Sequence, residues 1–193
     1  TFFRVALNDE DANPNQSQWK LGHVYFAHMT LTDVDGEKFY YFERINRKGV
    51  GNAGADADRL MVWNDDWFLE GKGKVHLLKA IESGTGVELQ LVPEKKLVIH
   101  GNNGISQKGS EKGNASHYFS YTRMKTTGQI FVRGKAYNVL GSSWMDHEYS
   151  SNQLNDELVG WDWFSLKLDD KTELMLYLLR RKTGGVDAFS SGT

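Results

Sequence analysis

Cysteine is absent from the 193 residues, and proline occurs only twice. Without thiols the chain has no disulfide framework, no thiolate zinc site and no cysteine nucleophile. That absence suits an exported protein and a cytosolic one equally. No apolar run is long enough for a transmembrane helix, and no signal-peptide pattern is present. A dominant charge is missing too. The 23 basic and 25 acidic residues leave a net charge of -2, with no basic run, so nucleic acid is not the expected partner. Several chemical signatures are also missing. Gly71-Lys72-Gly73-Lys74 lacks the spacing of a phosphate loop. There is no Gly-x-Ser-x-Gly elbow, and Gly141-Ser142-Ser143-Trp144 does not replace it. No His-x-x-x-His pair exists, and contiguous Asp146-His147-Glu148 would send its members to opposite faces of a strand. Neither a metal nor a cofactor is expected.

What is present is a succession of short strands. Phe2 to Leu7 reads as a strand, and Asn8 to Ser17 as a polar loop. Trp19 to Leu31 and Lys38 to Arg44 flank a turn at Thr32 to Glu37, where Asp-Gly between apolar runs favours a hairpin over a calcium loop. Arg47 to Asp58 reads as a loop. Arg59 to Leu69 is strand-like, with Asn64-Asp65-Asp66 as a break or bulge. Val75 to Ile81 and Val87 to Val92 form a hairpin around Ser83 to Gly86, and Leu97 to His100 leads into a glycine-rich loop, Gly101 to Gly109. Ser116 to Lys125 is dense in aromatics and is expected to turn at Thr127-Gly128 and again at Gly134-Lys135. Only Asn152 to Leu158 suits a helical turn. Short strands at regular spacing, with no sustained 3.6-residue period, imply an all-β antiparallel sandwich or barrel. At this length one domain, residues 1–193, is expected.

Chemistry concentrates in Gly141 to Asp170, which holds Trp144, Trp161 and Trp163, half of the six tryptophans. Acids and a histidine stand among these aromatics, and ionisable groups are kept in such surroundings only when paired, hydrogen-bonded or functional. Strand parity puts Trp144, Asp146 and Glu148 on one face and Met145, His147 and Tyr149 on the other. Likewise Asp162, Phe164, Leu166 and Leu168 share a face, opposite Trp161, Trp163, Ser165 and Lys167. A bulge would exchange these faces. The apolar company of Asp162 points it inward, where it would meet Asp146 or His147 in one pocket. Burial there would hold a proton on a carboxyl group, making Asp162 a candidate acid with Asp146 and His147 as its complement. Trp144, Tyr149, Trp161, Trp163 and Tyr118 are candidate ligand walls. His28 is either a wall of the same cavity or a hydrogen-bonded core histidine. The competing structural reading pairs Asp146 and Glu148 with Arg123, Arg180 or Arg181.

Several ordered motifs resemble one family. They are Thr1-Phe2-Phe3-Arg4, Ala27 to Asp33, Gly104 to Gly109, Gly113 to Ser120, Trp144 to Tyr149 and Gly160 to Ser165. Together they resemble the bacterial carotenoid 1,2-hydratases (hydroxyneurosporene synthases), the AttH-like proteins and the "predicted secreted hydrolases", closest to the last two. The resemblance implies an antiparallel lipocalin-like β-barrel, incomplete or open here, and a secreted or periplasmic protein. It also implies a longer two-domain protein with a further tryptophan-rich first strand; unpaired strand edges would then invite oligomerisation. The implied partner is a small apolar ligand, isoprenoid or lipid-like, which the chain hydrates, hydrolyses or only carries. An esterase is a further alternative. The family motifs put Asp146, His147, Trp161 and Asp162 forward, and Tyr149 stands where relatives often have Trp. A fungal branch catalyses Diels–Alder cyclisations, so the scaffold does not fix the reaction.

Overall fold

The computed structural model describes residues 1–6, 22–47, 51–111, 113–150 and 155–193. All regular structure among them is β, in fifteen strands and three sheets. The chain divides into two compact units, residues 1–92 with 125–141, and residues 93–124 with 142–193.

Unit 1 opens with β1 (Phe2–Ala6), β2 (His23–Asp33) and β3 (Lys38–Arg47), an antiparallel sheet in that order. The β2–β3 turn is the expected hairpin. The Asp33 carboxylate accepts from the Gly36 amide at 3.0 Å, and Glu37 takes a left-handed φ of 50°. Then follow β4 (Ala53–Ala55), β5 (Met61–Asn64), β6 (Trp67–Lys72), β7 (Val75–Glu82) and β8 (Thr85–Pro93), each paired antiparallel with the next. Asn64-Asp65-Asp66 does break its strand, because Asp65 adopts φ 54° in the β5–β6 turn. Ser83-Gly84 has both φ values positive, 49° and 74°, as a two-residue hairpin turn requires. The expected loop at 47–58 is corrected in part, since Ala53–Ala55 pairs with β5. Alternation along β2 buries Tyr25, Ala27 and Met29. The core gathers Ala27, Met29, Trp67 and Ala80, with Phe2, Leu31, Phe42 and Val87 packed against them.

Two long strands, β11 (Ala115–Val132) and β12 (Lys135–Tyr149), each have residues in both units. The expected turn at Thr127-Gly128 is overturned, because β11 runs straight through it. Gly128 is there for a different reason. At its φ of 140°, a Cβ would lie 2.2 Å from the Glu88 carbonyl oxygen of the paired strand, so only glycine lets the backbones approach. The reversal comes at Arg133-Gly134, with φ 51° and 82°.

In unit 2, β9 (Val98–Ile99) and β10 (Ile105–Gln107) pair with the first half of β11. The expected loop at 101–109 therefore contains a short strand. β13 (Leu158–Lys167), β14 (Glu173–Arg181) and β15 (Ser191–Gly192) form the third sheet. The core is Tyr118, Leu158, Met175, Tyr177 and Leu179, with Trp144 and Phe189 against it. Residues 152–154 of the expected helical turn lie outside the described residues, as do Leu7 to Leu21; Asp156-Glu157 form a turn into β13.

Candidate functional site

The buried side of β11 in unit 2 is unusual. Period-two alternation places Ser116, Tyr118, Ser120 and Thr122 inside, so small hydroxyls share the interior with an aromatic. A buried hydroxyl needs a partner. Those of Ser116, Tyr118 and Ser120 find the carboxylates of β12.

Asp146 Oδ1 accepts three hydrogen bonds, from Tyr118 Oη at 3.0 Å, Trp144 Nε1 at 2.8 Å and Ser120 Oγ. Among the described residues no donor reaches Oδ2. The chain of bonds continues behind Ser120. Its hydroxyl gives its proton to Asp146, so it accepts from His100 Nε2 at 2.8 Å, and His100 Nδ1 then accepts from Thr193 Oγ1 at 3.1 Å. This is the neutral imidazole, and burial lowers the His100 pKa accordingly. Tyr118 accepts in turn from Trp163 Nε1 at 3.1 Å. Its pKa is pushed far up, first by burial and then by the Asp146 charge, so it stays a donor.

Glu148 repeats the pattern two residues on. Its Oε1 receives Ser116 Oγ and the ammonium of Lys108 at 3.3 Å, and Oε2 has no donor among the described residues. Lys108 is buried, with Nζ 3.5 Å from the centre of the Tyr177 ring and 5.5 Å from that of Tyr118. Two carboxylates on one strand face thus each have one oxygen fixed and one open, with backbone positions about 7 Å apart.

Two cavities adjoin this set. One, of about 30 Å3, is lined by Lys108, Tyr118, Glu148, Trp161, Trp163 and Tyr177 with Leu179. The other is an open cleft of about 520 Å3, with Leu97, Val98, His100, Trp144 and Met175 in its wall. His100 and Trp144 line this cleft and also belong to the Asp146 hydrogen-bond network.

The structure brings together Asp146, Trp144, Tyr118, Trp161 and Trp163 in unit 2. It separates others. Asp162 is a correction. Parity along β13 is as expected, but Asp162 is on the face opposite the one turned to the core residues of β14: Trp161, Trp163 and Ser165 pair with Leu179, Tyr177 and Met175, although the two tryptophans stay 51% and 39% exposed. Those three β14 residues are 2–4% exposed, and their neighbours Leu174, Leu176 and Leu178 are 37–43% exposed. Asp162 lies on that outer face, half-exposed and 3.6 Å from Arg180. It does not meet Asp146 or His147. His147 and Tyr149 are also turned away from Asp146, since alternation along β12 puts them opposite. The His147 ring lies 4.7 Å from Phe119 and 5.5 Å from Tyr149, and Tyr149 stacks on His117 at 5.1 Å. His28 belongs to unit 1 and lines neither cavity. Its ring contacts Phe3 at 5.2 Å and Tyr41 at 5.8 Å, with Glu43 4.0 Å away.

The expected arginine partners of Asp146 and Glu148 bond elsewhere: Arg123 to Glu173, Arg180 to Asp162 and Arg181 to Asp187. Ser120 touches both a histidine and an aspartate, but the serine is the middle member and is fully buried. It offers no reachable nucleophile, which weakens the esterase reading. Sequence reading gave no role to Lys108, His100 or Ser120, and offered Glu148 only an arginine partner. The signal that reveals them is the alternation of Ser116, Tyr118, Ser120 and Thr122, a buried polar face that requires acceptors opposite.

The AttH-like family model matches residues 1–193. Comparison with the curated proteins gives no match. Among solved structures, an AttH protein of Nitrosomonas europaea is 29% identical with a TM-score of 0.84, covering 100% of this chain and 60% of that one. Kievitone hydratase of Nectria haematococca is 12% identical with a TM-score of 0.65, over 89% of this chain and 54% of that one. This chain therefore spans little more than half the length of either. The fold class is all-β, antiparallel and lipocalin-like, of the open-barrel type. Among the described residues no helix is long and apolar enough to cross a membrane. On the match along its whole length, the chain belongs to the AttH-like family.

Proposed function

We propose that the chain binds an apolar, isoprenoid or lipid-like ligand in the cleft of unit 2 and adds water to it. The observation that carries this reading is the pair Asp146 and Glu148, each fixed through one oxygen with the other oxygen open. Adding water across a carbon–carbon double bond requires a proton for one carbon, a water oxygen for the other, and a base for the water's spare proton. Two carboxyl groups on one face can divide these tasks, one giving a proton and the other accepting one. The cleft volume of about 520 Å3 suits a small ligand. The cavity of about 30 Å3 beside Lys108 and Glu148 has room for a single water and polar groups to hold it. Trp144, in the wall of the cleft, would stabilise a developing cation. In this reading Asp146 takes a proton from water onto its open Oδ2 and delivers it to one carbon, the acid's role first assigned to Asp162; Glu148 accepts the spare proton of the water that adds to the other, and His147 is not needed. One structural neighbour is a hydratase, which favours hydration over hydrolysis. A secreted or periplasmic setting is part of the same proposal.

A second reading, a carrier without chemistry, is favoured by the Asp162–Arg180 pair, which makes that acid structural. The test is incubation with lipid and mixed carotenoid extracts in heavy-oxygen water. The hydratase reading expects a ligand heavier by one labelled water with wild type, and a large loss with Glu148→Gln. Bound but unchanged ligand in both would leave the carrier.

A further inference from the structure

The cleft's lining divides into two parts. Its apolar wall is Leu97, Val98, Trp144 and Met175. Its charged side chains are Lys95, Lys96 and Lys171 against one carboxylate, Glu173, a side-chain charge of +2 within a chain of net charge -2. The carboxylate is already used. Glu173 is buried and bonded by both Lys95 and Arg123, and Lys95 also donates to the Lys171 carbonyl. Its pKa lies below the ordinary range; burial opposes ionisation, but the bonds to Lys95 and Arg123 prevail. Lys96 and Lys171 have no acidic partner among the described residues, and both are exposed. Lys171 is fixed at a turn, with φ 68° and its carbonyl held. Unpaired ammonium groups beside an apolar wall fit a ligand with an anionic head and an apolar body.

We infer that the cleft of unit 2 binds an amphiphile with a carboxylate or phosphate head, its head on Lys96 and Lys171 and its chain along Val98, Trp144 and Met175. The inference rests on the proposed ligand-binding reading and narrows its ligand class. The head places the molecule, and the apolar body passes Trp144, which donates to Asp146. Attraction between exposed charges weakens as salt screens it, so binding of the acid weakens with ionic strength.

The test is titration calorimetry, with native mass spectrometry, on wild type and the double variant Lys96→Gln, Lys171→Gln. The probes are dodecanoate, dodecyl phosphate, dodecanol and inorganic phosphate. Wild type is expected to bind the two anionic amphiphiles about tenfold more tightly than dodecanol. The double variant is expected to bind all three alike, and inorganic phosphate is expected not to compete. Equal binding of acid and alcohol by wild type would overturn the inference and leave the apolar-ligand reading standing. Inorganic phosphate competing as well as dodecyl phosphate would overturn it in favour of a plain anion site. Binding of none of them would overturn both. Both lysines are exposed, so the double variant keeps its fold, which a matching thermal midpoint verifies.

Discussion

Each unit sets a cation over an aromatic ring, half-buried in unit 1 and buried in unit 2, and the two arrangements differ in how many bonds the cation makes and in where the open carboxylate oxygens lie. In unit 1 the Arg44 guanidinium lies 4.4 Å from the Trp67 ring centre. It donates to Glu82 at 2.7 and 3.2 Å, to the Asn64 carbonyl at 3.2 Å and to Asp66. Asn64 bonds in turn to Tyr25 and Arg44 carbonyls and accepts from Asn46. Four of the five guanidinium donors are used, as in a structural clamp, and Glu82 Oε1 and Asp66 Oδ2 receive no donor among the described residues. In unit 2 the Lys108 ammonium lies over Tyr177 with one carboxylate at 3.3 Å, and that carboxylate keeps an oxygen open. What separates the two cases is where the open oxygens lie. Glu82 and Asp66 line neither cavity, whereas Glu148 lines the small one and Asp146 is bonded to Trp144 in the wall of the cleft.

The largest consequence lies in stability. Arg44→Met removes four hydrogen bonds, one of them to the carbonyl of fully buried Asn64, and is expected to cost about 2–3 kcal/mol in denaturant unfolding. Lys108→Met removes a single ion pair, and relief of the buried ammonium offsets part of that loss. It is expected to cost about 1 kcal/mol or less while weakening the proposed water addition. Equal losses from the two variants would mean that Lys108 is a clamp as well, and the distinction would fail.

A smaller effect separates the units by pH. Burial lowers the pKa of His76 in unit 1 and of His100 and His147 in unit 2. The unfolded chain therefore binds protons before the native chain does. Stability is complete above the ordinary histidine value of about 6.5 and declines as pH falls from there toward the lowered native values. Thermal midpoints measured from about pH 8 to about pH 5 should fall over that window, and less steeply in His100→Gln. A midpoint that stays level or rises on acidification would show that these imidazoles are not held neutral.

Much of the strand order was legible because period-two alternation and Asp-Gly or Gly-containing turns are local signals. Where a residue is chosen by its neighbour across the sheet, the sequence misleads. Gly128 resembles a turn residue but serves a close backbone approach to Glu88. Ile105 to Gln107 sits in a glycine-rich stretch and becomes a strand only through β11. Parity along β12 and β13 was readable, yet parity does not say which face is inside. Asp162 keeps apolar company on Phe164 and Leu166, but the β14 residues paired with that face, Leu174, Leu176 and Leu178, are exposed, whereas Trp161 and Trp163 pair with buried Leu179 and Tyr177. Lys108 was invisible for the same reason, since a lysine after a short strand is ordinarily solvated. Only a carboxylate and two rings brought from distant segments make it an interior residue.

The most direct measurement compares two acids that the sequence ranked the other way, Asp162 first and Asp146 as its complement. Asp146→Asn and Asp162→Asn are placed beside wild type in the same incubation with lipid and carotenoid extracts, and the product bearing one added water is counted by mass. Asp146 is bonded to Trp144 in the cleft wall and Asp162 lies beside Arg180, so Asp146→Asn should lose product by about a hundredfold or more while Asp162→Asn keeps it. Product lost in Asp162→Asn and retained in Asp146→Asn would contradict the assignment of chemistry to the β11–β12 face.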